Sequence, residues 1–68
     1  MDEEVLKEVG RVPIKRGEYT LTEVQMPQGD VALKLSFTSA TGRVISIRLF
    51  RQGAAAVAEL IAAWAEGE

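Results

Sequence analysis

Apolar positions recur at two different spacings along this chain, and the change of spacing separates strands from a helix. Between residues 31 and 38, Val31, Leu33, Leu35 and Phe37 alternate with Ala32, Lys34, Ser36 and Thr38. Alternation with period two predicts a strand with one buried and one wet face. Residues 44–50 repeat it, with Ile45, Ile47 and Leu49 on one side and Val44, Ser46, Arg48 and Phe50 on the other. Ser39-Ala40-Thr41-Gly42 between them has the composition of a hairpin loop. Upstream, residues 19–26 are rich in β-formers and predict another strand. Pro27-Gln28-Gly29-Asp30 follows as a turn. Val12 and Ile14 flank Pro13, which cannot donate to a ladder and so marks an edge strand or a strand start. Lys15-Arg16-Gly17-Glu18 is the turn that leaves it.

Past residue 50 the period lengthens. Val57, Leu60, Ile61 and Trp64 fall at i, i+3, i+4 and i+7, one apolar stripe on a helix. Residues 54–65 hold strong helix formers without a breaker, with Gln52-Gly53 at the start and Gly67 at the stop. The alanines make this helix slim. The pattern predicts an α+β fold: an antiparallel four-stranded sheet followed by one C-terminal helix, β-β-β-β-α. Leu33, Leu35, Ile45 and Ile47 are expected between sheet and helix. Residues 1–9 read as an acidic arm, with residues 10–68 as a single domain.

Length changes the picture next. A chain of 68 residues buries only about 60% of its unfolded surface, so a lone monomer is marginal. The absence of cysteine removes disulfides and thiolate metal sites, which leaves tight packing or pairing to supply stability. A homodimer is the expectation, with Leu60 and Trp64 at the seam. The absence of histidine removes the usual general base and the commonest metal ligand. Lys7, Lys15 and Lys34 lie in wet or flexible contexts, the carboxylates have no recognisable spacing, and the glycines form no phosphate loop. No catalytic role, metal, cofactor or small-molecule substrate is expected. Apolar runs such as the pentad Ala54–Ala58 are short, so no membrane span is expected. Met1-Asp2-Glu3-Glu4 is acidic where a signal peptide is basic, and the expected compartment is the cytoplasm.

The net charge of −2 hides an uneven layout. Asp2, Glu3, Glu4 and Glu8 against Lys7 leave residues 1–8 at −3, and Glu59, Glu66 and Glu68 leave residues 53–68 at −3. Between them seven bases face three acids, a net +4. A low overall pI therefore leaves room for a polyanionic partner, because the local field decides. Lys34 and Ser36 share a face with Ser46, Arg48 and Phe50 of the next strand. Arg43 stands at the hairpin mouth, and Lys15, Arg16 and Tyr19 cluster at the first turn. Cations for phosphates, hydroxyls for hydrogen bonds and rings for stacking are the components of a platform for single-stranded DNA or RNA. Each residue has a plainer reading. Phe50 could pack under the helix start or in a dimer seam, Tyr19 could form a cross-strand pair, and Lys34 and Arg48 could simply confer solubility.

The order of elements also carries a resemblance. Residues 17–24 (Gly-Glu-Tyr-Thr-Leu-Thr-Glu-Val) resemble the aromatic-led first strand of the purine-rich-element-binding (PUR) repeat. Residues 29–35 are similar to its glycine-opened second strand. Residues 42–47, with the helix through Ala54, Val57, Leu60 and Ile61, resemble its closing strand and helix. More loosely, the likeness reaches the positive-cofactor transcription coactivators and the plant Whirly proteins. The resemblance implies two such units pairing through sheets and helices, with the curved outer sheet face holding DNA or RNA. A second reading is a small regulatory module, of phage or mobile-element type, that docks a partner protein.

Overall fold

Three tight turns fold the chain into a meander. In a computed structural model that describes residues 3–67, four antiparallel strands run in the order β1-β2-β3-β4 and a helix follows. The strands are β1 (Glu4–Ile14), β2 (Gly17–Gln25), β3 (Val31–Ser39) and β4 (Val44–Phe50), and the helix is α1 (Arg51–Glu66). The α+β class and the β-β-β-β-α order expected from the pattern are those observed.

Each turn closes by backbone hydrogen bonds. At the second, Gly29 N donates to Met26 O at 2.8 Å and Met26 N to Asp30 O at 2.7 Å. At the third, Gly42 N donates to Ser39 O at 3.0 Å and Ser39 N to Arg43 O at 2.8 Å. Gly42 sits there at φ 93°, a conformation that L side chains rarely adopt. The Ser39 hydroxyl also accepts from Arg43 N at 3.1 Å, which stiffens the loop.

Pairing between β2, β3 and β4 is one-to-one, with Leu21 opposite Leu35 and Leu35 opposite Ile47. Because side chains alternate, this register sorts the sheet into two faces. One face carries Tyr19, Leu21, Leu33, Leu35, Phe37, Ile45, Ile47 and Leu49. The other carries Thr20, Thr22, Val24, Ala32, Lys34, Ser36, Thr38, Ser46, Arg48 and Phe50. β1 is an edge strand, as Pro13 suggests, and its pairing with β2 slips between Val5 and Lys7 and again between Glu8 and Gly10. Irregularities of this kind blunt an edge against further pairing.

Two expectations are corrected. Residues 4–9 form the first part of β1, paired with β2 from Gln25 to Thr22, and not a loose arm; Met1, Asp2 and Glu68 lie outside the described residues. Nor does α1 cover the sheet. Gln52 (ψ 118°) and Gly53 (φ 91°) break the helical path, and the continuous helix from Ala54 leaves the sheet after its first turn. Ile45 and Ile47 are therefore 71% and 56% exposed instead of lying beneath a helix, and Leu33 and Leu35 are only half-buried. Alternation identifies the apolar face of a strand but says nothing about what covers it. Among the described residues only Val24 and Ala32 are fully buried, and both lie at one end of the polar face. The radius of gyration is 13.2 Å, against about 11 Å for a compact chain of this length. No helix among the described residues is long and apolar enough to cross a membrane.

Gly17 has no room for a side chain. A Cβ there would collide with the Thr38 carbonyl oxygen and approach the Phe37 ring at 2.9 Å, whereas at Gly10 it would meet open space. Gly17→Ala should cost ~1–3 kcal/mol, the range for overpacking, and Gly10→Ala no more than about 0.5 kcal/mol. Thermal denaturation of the two variants beside the wild type checks the contrast.

Candidate functional site

Across the middle of β3 and β4 the polar face is built from short hydroxyl side chains and two cations. β-Branched threonine suits a pleated strand, and serine leaves space for a neighbour across the ladder. Ser36 and Ser46 face each other with their hydroxyl oxygens 3.1 Å apart. One pair further along, Lys34 faces Arg48. The shared face on neighbouring strands that the sequence suggests for these four residues is the one found.

Glu3 is what the sequence reading missed. Its side chain reaches over β2 and lies between the two cations, with Arg48 Nε 2.7 Å from Oε1 and Lys34 Nζ 3.0 Å from Oε2. The side chain is only 15% exposed. Hydrogen bonds from Arg48 first and Lys34 second lower the carboxyl pKa from 4.5 to about 2, against a smaller opposing effect of burial. The same bond raises the Arg48 pKa. The only signal in the sequence is coarse: an acidic first segment next to a basic middle one.

Other cations of the sheet are also paired. On β1, Arg11 bridges Glu8 at 2.8 Å and Glu18 at 3.3 Å, which raises its own pKa and lowers that of Glu8. Arg51 reaches Glu23 at 3.4 Å on the apolar side. Lys15, Arg16 and Arg43 have no ion pair among the described residues. They are exposed and meet at the far end of the sheet, where Ala40 N donates to Arg16 O at 3.0 Å and so joins the first and third turns. From there Thr38 and the Ser36–Ser46 pair lead to Lys34 and Arg48, about 13 Å along β3.

The two rings part company. Phe50 stands on the polar side beside Arg48, opposite Ala32 and one residue before the helix, with about half its surface open. Tyr19 projects from the apolar side, where its ring packs on Phe37 with centroids 5.0 Å apart. It makes the cross-strand pair and is not beside Lys34 and Arg48. Also on that side, a hollow of about 450 Å³ is lined by Lys7, Glu23, Leu33, Leu49, Arg51 and Ala54, among others. Comparison with protein-family models, with curated proteins and with solved structures finds no match.

The Glu3 contact has a definite pH signature. A carboxylate whose pKa is lowered on folding adds stability above its ordinary pKa and loses it as pH falls through the folded value. The stability difference between wild type and Glu3→Gln should therefore be constant above about pH 5 and vanish as pH falls from 4.5 to about 2. Carboxyl-detected NMR titration should give Glu3 a midpoint near 2, moving back towards 4.5 in Arg48→Ala.

Proposed function

We propose that this chain binds single-stranded DNA or RNA on the polar face of its sheet, with no bond made or broken. The observation that carries the reading is the grip of Lys34 and Arg48 on one carboxylate. Two cations on neighbouring strands already converge on an oxyanion, at 3.0 and 2.7 Å, and a backbone phosphate presents the same kind of oxygen. Ser36 and Ser46 supply hydroxyls beside them, and Lys15, Arg16 and Arg43 extend the positive track to the end of the sheet. Phe50 offers a half-open ring on the same side. Phosphate contacts of this sort position a strand without reading its sequence.

Glu3 enters as a competitor. A phosphate reaching Lys34 and Arg48 must displace the carboxylate, so the pair serves a polyanion that out-competes a single charge. An oligonucleotide does so because several phosphates bind together and release counterions.

Fluorescence anisotropy of a labelled oligonucleotide at two salt concentrations tests the reading. Lys34→Ala/Arg48→Ala should weaken binding and lower the salt slope by ~0.7 per lost contact. Glu3→Gln should tighten it about two- to fivefold, the factor expected from releasing a modest ion pair at the surface of the sheet. Tyr19→Ala should reduce stability and leave the salt slope unchanged. No binding by wild type or Glu3→Gln at low salt would sink the proposal and favour a module that docks a partner protein.

A further inference from the structure

We infer that the apolar face of the sheet is the seat for the helix of a second copy of this chain, and that the two copies exchange helices. The inference needs no nucleic acid and stands apart from the proposed function. It begins with two surfaces that lack a partner. One is the sheet face formed by Leu33, Leu35, Phe37, Ile45, Ile47 and Leu49. The other is the stripe of Val57, Leu60, Ile61 and Trp64, where Leu60 and Trp64 are 72% and 78% exposed. Monomers rarely leave contiguous apolar areas of this size in water.

The helix does not close on its own sheet. Ala54 touches the hollow over Leu33 and Leu49, and exposure then rises along the helix from Val57 to Leu60 and Trp64. The bend at Gln52 and Gly53 sets that departure. From Ala54 to Glu66 the helix runs about 20 Å, long enough to cross the strands of a neighbouring sheet. Its alanines allow close approach to that surface.

Area identifies the occupant. The chain exposes 5530 Å², whereas a compact 7.4 kDa monomer exposes about 4200 Å². The excess is about 1300 Å² per chain and about 2600 Å² for a pair, within the roughly 2000–5000 Å² of obligate homodimers. A foreign helix on the sheet would leave this chain's own stripe bare, and a foreign sheet on the stripe would leave the face bare. A second copy related by a two-fold axis satisfies both at once, because each chain supplies one face and one helix.

Engineered cysteines test the arrangement without background, since the chain has none of its own. Wild type should scatter light as twice 7.4 kDa at micromolar concentration. An oxidised equimolar mixture of Ile47→Cys and Leu60→Cys should form the mixed disulfide dimer. Ser36→Cys, on the opposite face, should not pair with Leu60→Cys. In the double variant Ile47→Cys/Leu60→Cys the disulfide should link two chains. A 7.4 kDa particle would overturn the inference. So would a disulfide closed within one chain, which would place the helix on its own sheet. A dimer that forms no disulfide between these positions would put the contact elsewhere and overturn it equally. Leu60 and Ile47 are both exposed in the single chain, and light scattering of the wild type reads the dimer independently of either substitution.

Discussion

A sheet one layer thick cannot bury its own apolar face. Burial needs a second layer about 10 Å away, and the one element available to form it turns aside at Gln52 and Gly53. The rest of the molecule follows from that constraint. Among the described residues only Val24 and Ala32 are fully buried, at the corner of the polar face where Val24 pairs with Val5 and Ala32 with Phe50. Stability in the single chain must come mainly from the ladders between strands and from partial burial along Leu21, Leu33, Leu35, Phe37 and Leu49. A chain of this size has little margin even with a complete core.

The same register that lines up the apolar residues lines up the charges. Lys34 and Arg48 are opposite because Leu33 is opposite Leu49 and Leu35 opposite Ile47. A slip of β4 by one residue would carry Arg48 to the apolar side and Ile45 and Ile47 to the polar one, breaking both faces together. The one-to-one pairing thus sets the anion grip and the uncovered face in a single step. The first turn depends on it too, since Gly17 lies against Thr38 and Phe37 with no space for a Cβ. The two faces remain chemically independent. Covering the apolar one leaves Lys34, Ser36, Ser46 and Arg48 as accessible as before.

The local features were legible in the sequence because they depend on few neighbours. Strands at 31–38 and 44–50, the turns at Gly29 and Gly42, and the edge placement announced by Pro13 all follow from residues close in the chain. The continuous helix from Ala54 was legible for the same reason. Three things were not. The path of the helix depends on two backbone angles at Gln52 and Gly53, which the hydrophobic pattern does not encode. The face of Tyr19 depends on the register across the turn at residues 27–30, and that register sends it to Phe37 and away from Arg48. Glu3 belongs by composition to an acidic segment, and composition reports net charge and not where a single carboxylate lands. Its partners lie 31 and 45 positions along the chain.

The strand edges do not offer another way out of the uncovered face. β1 carries Pro13 and two irregularities in its pairing, so it is a poor template for a further strand. β4 is shorter and regular, and a second sheet could hydrogen-bond along it. Such an eight-stranded sheet would still be one layer thick. Ile45, Ile47 and Leu49 would gain neighbours at their sides and none above, and the stripe at Leu60 and Trp64 would remain in water. Only contact across the face removes the apolar surface that makes the single chain expanded. Edge pairing can extend such an assembly, but it cannot replace the missing layer.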